Sequence, residues 1–325
     1  MNSNPGPNPG PDPGPNPTPS SSLIKFGVVD KIASSASDSD LFQSFGVPVD
    51  ASNPGYNHIS FSHWTFSAGP QGSLYFWVNP RPFLSDSIKS GKTLASLRTE
   101  MKQKYSTHGV KVLVRAFGPS EFPTTAGYHA GAVASYLATF VTQFNLDGVD
   151  IDYQDDEAFV KGTAEQWLKS FITVLRTQLP SHTIVCTVKA GYFVGWARYS
   201  KGAFLNVHNQ KGSLIDFYNV RYFGQDTSTY NSSTTLFNQS SGWAVKTSVN
   251  ELVTKGIDAA KIVIGKPATV SNADSTSYMS PTDLSQAISA EYQSSGWKTG
   301  VMLYEIASDL DGSILRQIVQ PIANV

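Results

Sequence analysis

The chain has 325 residues, of which 40% are hydrophobic and 15% are charged, and its formal net charge is −1. This length is sufficient for one large hydrophobic core, and the near-zero charge gives no electrostatic reason to expect binding to nucleic acid or to an anionic membrane. No apolar run is long enough to cross a bilayer. The single cysteine, Cys186, excludes an intrachain disulfide and is expected to be a buried structural thiol.

The first 22 residues differ in composition from the rest of the chain. Proline occupies every second position from Pro5 to Pro19, between glycines and small polar residues. Such a segment cannot bury a core, so we expect an extended tail at 1–22 and one folded domain at 23–325. The segment contains no apolar secretory region. Two sequons, at Asn231 and Asn238, would be used only in a secreted protein.

Beyond the tail, short apolar runs alternate with helical patterns. Eight strands are predicted, at 24–29, 58–66, 110–117, 144–154, 182–188, 214–223, 261–265 and 300–304. Helices are predicted at 92–105, 129–143, 163–179, 247–255, from 280 onward and at 312–319, the third of these opening on a Thr163–Gln166 capping box. This alternation predicts an α/β protein with a closed (β/α)8 barrel. A doubly wound open sheet is the alternative, but no glycine-rich phosphate motif follows the first strand.

The fourth predicted strand carries the polar residues with the clearest chemistry. Because side chains alternate along a strand, Asp150, Asp152 and Gln154 point to one side of it. Burying carboxylates without partners is unfavourable, so these residues are either paired or line a site. In a (β/α)8 barrel, the site lies at the C-terminal ends of the strands, where these three side chains are expected.

The run from Asp147 to Gln154 resembles the signature Asp-Gly-x-Asp-x-Asp-x-Glu of glycoside hydrolase family 18, with glutamine in place of the final glutamate. Weaker similarity extends to the predicted second, sixth, seventh and eighth strands. The sequence is most similar to fungal chitinases of this family over residues 23–325. The resemblance implies a secreted, monomeric barrel without a cofactor or metal, whose partners are chitin or N-acetylglucosamine oligosaccharides.

The family cleaves its substrate with the help of the substrate's own acetamido group, an exception to the two-carboxylate scheme. By position, the resemblance makes Asp152 the acetamido partner, Asp150 its carboxylate neighbour and Asp147 an outward, structural residue. Gln154 takes the place of the proton donor. A glutamine cannot give up a proton, and general acid catalysis contributes roughly 10² to 10⁴ in rate, so hydrolysis should be nearly abolished.

Other positions also depart from the family pattern. Arg115 stands on the third strand where the family has serine and small residues. The sixth strand reads Arg221-Tyr222-Phe223-Gly224 instead of Gln-x-Tyr-Asn, so Phe223 lacks the expected hydroxyl. Tyr304 stands where the family usually has a tryptophan below the sugar. The sugar-contacting residues inferred from these positions and from other aromatics are Trp64, Phe117, Trp196, Tyr222, Phe223 and Tyr304.

Two interpretations of the acidic pair remain open at the level of sequence. Asp150 and Asp152 form either a buried ion-pair network with Arg115 and Arg221 or a preserved sugar site, and both can hold together. The acidic residues at 155–157 are expected to form a solvated loop and not to supply a replacement acid. His63 and His208 have no metal-spaced partners, so no metal site is expected.

The sequence is compatible with three alternative functions. The first is a chitinase-like protein that binds chitin oligomers without cutting them, because several site residues have changed together. The second is an active chitinase or endo-N-acetylglucosaminidase in which the glutamate was deliberately replaced at Gln154. The third is a non-catalytic, protein-binding inhibitor module, for which the sequence offers no specific interface.

Overall fold

The computed structural model describes residues 22–30, 49–50, 53–84, 86–194, 198–225, 228–272, 277–309 and 311–323. The tail predicted at 1–22 therefore lies outside the described residues, apart from Ser22. Trp196 also lies outside them.

Eight parallel strands form the centre of the molecule. They are β1 (Ile24–Val29), β2 (His58–Thr65), β3 (Lys111–Gly118), β4 (Gly148–Tyr153), β5 (Thr183–Lys189), β6 (Phe217–Arg221), β7 (Ile262–Pro267) and β8 (Gly300–Tyr304). Each strand pairs with its neighbours in chain order, and β1 pairs with both β2 and β8. This closes the sheet and confirms the predicted (β/α)8 barrel over the open-sheet alternative.

Helices cover the outside of the barrel. They are α1 (Gly72–Val78), α2 (Asp86–Lys89), α3 (Leu94–Thr107), α4 (Ala130–Gln143), α5 (Asp156–Lys161), α6 (Ala164–Gln178), α7 (Ala203–Lys211), α8 (Val249–Thr254), α9 (Pro281–Ser295) and α10 (Ser313–Val319). The start of α9 follows the predicted pattern, since the Ser280 hydroxyl caps the helix and Pro281 stands in its first turn. The sequence patterns did not predict α1, α2, α5 or α7.

Strand alternation divides the core into two layers. The larger layer lies between the sheet and the helices. The smaller one fills the inside of the barrel and consists of Ile24, Phe26, Val28, Leu113, Val185, Phe217, Phe223, Val263 and Met302. Nearer the C-terminal ends of the strands, the inward-pointing side chains are polar, and they form the site.

Two local predictions were wrong. Residues 144–147 do not belong to β4, because Phe144 is the C-cap of α4 and Asn145 adopts a positive φ of 51° in the turn that follows. Thr163 precedes α6 but makes no side-chain cap bond to it, and its hydroxyl donates to the Ala158 carbonyl of the preceding helix. A sequence pattern cannot show that this hydroxyl forms its hydrogen bond with the end of a neighbouring helix.

His58 lies on the inner face of β2 and makes the barrel sensitive to acid. Its ring stacks on Phe26 and meets Phe217 edge-on. Burial, with a smaller contribution from Lys111, lowers the pKa of His58 to about 3. Between pH 6.5 and 3 the unfolded chain therefore binds a proton that the folded protein does not, so the free energy of unfolding should fall as the pH falls through this window.

Within that window, the free energy of unfolding of the wild type should fall more steeply with falling pH than that of a His58→Phe variant. The two slopes should differ by up to about 1.4 kcal/mol per pH unit. Urea unfolding at pH 7, 5 and 4 measures the difference. His108→Phe, at an exposed position, is the matched control and should parallel the wild type. Equal pH slopes for wild type and His58→Phe would show that His58 is not the acid-sensitive group.

Candidate functional site

Arg115 lies between the two aspartates at the C-terminal mouth of the barrel. Its Nη1 is 2.6 Å from Asp150 Oδ2, and its Nη2 is 2.8 Å from Asp152 Oδ2. The register places Arg115 beside Asp150 on neighbouring strands, so both side chains point inward. All three side chains are at most 3% exposed. One guanidinium thus uses its planar fork to neutralise two carboxylates, and the predicted ion-pair network is present.

Asp150 is held from several other directions. The hydroxyls of Ser60 and Thr187 donate to it at 3.0 and 2.6 Å. The Asn219 amide in turn donates to the Thr187 oxygen at 3.3 Å. Burial raises the pKa of Asp150, although the adjacent Arg115 opposes the shift. The direct partners Ser60, Arg115 and Thr187 come from three different strands and Asn219 from a fourth, so Asp150 joins the polar layer across the barrel and has the position of a structural anchor.

Gln154 is partly buried and contacts Asp152 directly. Its Nε2 donates to Asp152 Oδ2 at 2.9 Å. Burial alone would raise the pKa of Asp152, but the charges of Arg115 and Arg221 outweigh this effect, and the amide of Gln154 adds to theirs. The pKa of Asp152 is therefore below its usual value, and the residue is ionised at neutral pH. Gln154 accordingly acts as a hydrogen-bond donor to a fixed anion, not as a source of protons.

An arginine and two aromatic rings form the opposite side of the mouth. The Arg221 guanidinium lies 5.0 Å from the centre of the Phe223 ring, and Phe223 stacks on Tyr304 with 5.8 Å between centroids. The Tyr304 hydroxyl donates to Asp30 at 2.7 Å. Arg221 also points inward, with Nη1 3.8 Å from Asp152 Oδ1. Of the predicted sugar contacts, Phe223 and Tyr304 are therefore at the mouth.

His63 is a site residue that sequence reasoning missed. The pairing of β2 with β3 shifts register between Ser62 and Trp64, so the His63 ring approaches Asp30, with Nδ1 3.7 Å from Oδ1. Burial and then the charge of Arg115 lower the pKa of His63 below its usual value, which favours the neutral imidazole at pH 7. The ring also covers Gly118, where an added Cβ would meet it at 2.4 Å.

Three predicted sugar contacts do not reach the mouth. Trp64 is 5% exposed, and Phe117 and Tyr222 are fully buried between the sheet and the helices. The same register shift turns Trp64 outward, where it packs against Phe117. Phe117 has a φ of 73°, which breaks the strand alternation at the end of β3. Tyr222 packs against Tyr230, so the prediction that these three side chains contact a sugar does not fit their placement.

The outer acidic residues are structural. Asp147 accepts hydrogen bonds from the Val112 N–H and from the Lys102 ammonium, in agreement with its predicted outward role. Asp155 is buried, caps α5 and accepts from Thr125 at 2.6 Å. The expectation of a solvated loop was therefore wrong at Asp155, because its carboxylate satisfies a helix start and a neighbouring loop together.

Neither a metal site nor a membrane span is found in the part of the chain that the structure describes. No group of three or more His, Cys, Asp or Glu side chains there could hold a metal ion. No helix there is long and apolar enough to cross a bilayer.

The family follows from comparison with known proteins. Residues 47–312 match the model for glycosyl hydrolases family 18, and the chain belongs to this family. No curated protein matches the sequence.

Solved structures of the family share the fold. A GH18 chitinase from Pseudoalteromonas aurantia is 19% identical and superposes with a TM-score of 0.68, over 92% of this chain and 99% of that one. A putative chitinase A from Streptomyces coelicolor is 13% identical with a TM-score of 0.63, over 93% and 97% of the two chains. A fungal family 18 endo-β-N-acetylglucosaminidase is 16% identical with a TM-score of 0.59, over 91% and 98%.

Proposed function

We propose that this protein is a non-hydrolysing member of family 18 that binds chitin or N-acetylglucosamine oligosaccharides, as a monomer outside the cell. The observation that carries the proposal is the hydrogen bond from Gln154 Nε2 to Asp152 Oδ2. The group at the proton-donor position is an amide, and one of its two N–H groups donates to a fixed carboxylate. Without a general acid, the leaving oxygen of a glycoside must depart unprotonated, which forfeits about 10² to 10⁴ in rate.

The mouth retains features that suit a sugar. Gln154 and Tyr304 are partly accessible polar side chains beside aromatic surface, the combination that carbohydrate pockets use. These features support binding, while the amide at 154 removes the means of cutting.

A deliberately replaced glutamate in an otherwise active site is the alternative. The position of Arg115 argues against this alternative, since its guanidinium forms an ion pair with Asp152 Oδ2, the same oxygen that Gln154 contacts. A single engineered substitution would leave the rest of the catalytic surroundings unchanged, whereas Arg115 and Phe223 also depart from the family pattern.

Calorimetric titration with N-acetylglucosamine trimers and hexamers tests the binding. We expect saturable binding by the wild type and about tenfold weaker binding by Gln154→Ala, which corresponds to the loss of about 1.4 kcal/mol. Gln178→Ala, at an exposed position on α6, should bind like the wild type. Absence of heat at millimolar oligosaccharide would refute the binding, and release of reducing sugar above the blank would refute the lack of hydrolysis.

A further inference from the structure

A group of aromatic side chains lies on the outside of the barrel, close to its C-terminal end. The Phe66 ring is central, with 5.0 Å between its centroid and that of Tyr128 and 5.6 Å to that of Tyr136. Phe66 directly follows β2, and Tyr128 lies in the loop between β3 and α4, whereas Tyr136 lies within α4. Tyr136 is 64% exposed, and Phe122, on the same loop as Tyr128, is 46% exposed. We call these four side chains the aromatic patch.

Buried polar groups fix the loops that carry the aromatic patch. The Glu121 side chain is 4% exposed, and its carboxylate accepts from the N–H groups of Phe66 and Ser67 at 2.8 and 2.9 Å. The N–H and the hydroxyl of Thr125 donate to the buried Asp155 at 2.8 and 2.6 Å. Both loops are therefore ordered before any ligand arrives, so a ligand of the patch would not have to pay the entropy of ordering them.

The chain segments that carry the aromatic patch have almost no charge. Residues 66–72 and 119–143 contain a single Asp, Glu, Lys or Arg, which is the buried Glu121. No residue of α4 is charged. The patch therefore offers no attraction to nucleic acid, to an anionic membrane or to a charged peptide, and it is complementary to an uncharged ligand.

The size of the aromatic patch argues against a second copy of the chain as its occupant. An aromatic side chain offers about 150 to 250 Å² of surface, so the exposed rings of Phe122 and Tyr136 together offer at most about 500 Å². A stable contact between two proteins buries about 800 Å² on each of them. A polysaccharide chain is narrower, and each of its sugar rings has an apolar C–H face that can stack on an aromatic ring.

We propose that the aromatic patch is a second carbohydrate-binding surface, which attaches the protein to solid chitin from outside the mouth. The choice of chitin rests on the proposed function, whereas the contact itself uses no residue of the mouth. Chains at the surface of a solid are accessible to the outer wall of the barrel. A second contact on the same protein raises the overall affinity for a solid that offers many chains, because the two contacts act together.

Retention on chitin powder tests the aromatic patch. The double variant Phe122→Ala, Tyr136→Ala removes the two exposed rings, and we expect its apparent Kd for chitin powder to be at least tenfold higher than that of the wild type. In calorimetry, its affinity for the soluble N-acetylglucosamine trimer should stay within about twofold of the wild type. Tyr75→Ala, at a 43% exposed tyrosine on α1, is the matched control and should be retained like the wild type.

Thermal unfolding shows whether the double variant is folded, and equal retention of a folded double variant and the wild type would overturn the inference. Retention by uncharged rings should persist from about 0.05 M to about 1 M NaCl, so its loss at high salt would assign the contact to charges and overturn the inference as well. A wild type that sediments as a dimer, with a monomeric double variant, would assign the patch to self-association instead. Failure of the trimer to bind, with retention that still depends on the two rings, would overturn the proposed function of the mouth and leave the patch in place.

Discussion

Replacing Gln154 with glutamate is expected to leave the release of reducing sugar from chitin oligomers at the blank level. The variant restores a carboxylic acid, but the acid is only one component of the site. Arg115 still occupies Asp152 Oδ2, the oxygen that Gln154 contacts, and Phe223 still lacks the hydroxyl of the family pattern.

The wild-type protein and Gln178→Glu, which makes the same exchange at an exposed position on α6, serve as controls. All three proteins should release equal, background amounts of sugar. An increase of about 10² to 10⁴ in Gln154→Glu alone would show that the rest of the site is intact. That result would favour the alternative of a deliberately replaced catalytic glutamate.

Replacing Arg115 with methionine is expected to lower the free energy of unfolding by about 3 to 5 kcal/mol, because it leaves two buried carboxylates without their counter-ion. Asp150 is fully buried and Asp152 is 2% exposed, so water cannot take the place of the guanidinium. Equilibrium urea denaturation at pH 7 measures the loss. A loss below 1 kcal/mol would mean that the hydrogen bonds from Ser60 and Thr187 suffice to hold the site.

Two comparisons isolate the charge from the change in packing. The triple variant Arg115→Met, Asp150→Asn, Asp152→Asn removes both anions together with the cation and should recover part of the lost stability. The deficit of Arg115→Met should also shrink as the pH falls toward 4. Without Arg115 both aspartates would have raised pKa values in the folded protein, so the folded state would bind more protons than the unfolded chain there and gain stability.

Much of the barrel could be predicted from local patterns. Apolar runs bounded by turn residues gave the eight strands, with the bounds of β1 and β8 matching the structure. The helices with long apolar stripes were also found. The short helices α5 and α7, of six and nine residues, were missed, whereas α8 and α10, of six and seven residues, were predicted, so length alone does not decide whether a helix can be recognised.

The shared direction of Asp150 and Asp152 followed from strand alternation, since both lie within regular strand. The rule failed at Trp64 and Phe117, where a register shift and a positive φ reverse the side chains. His63 entered the site for the same reason. Irregular backbone at strand ends depends on contacts made by neighbouring strands, so no period in one segment reveals it.

The sequence by itself determined that position 154 carries an amide and not a carboxyl group, because this depends only on the identity of the side chain. It also determined the barrel, since the periodicity of apolar residues is local. Only the tertiary structure decided which charged side chains pair with each other. Arg115 takes one oxygen of Asp152 while Arg221 stops 3.8 Å from the other. Residues 115, 152 and 221 lie on three different strands, and distances between their side chains exist only once the barrel has closed.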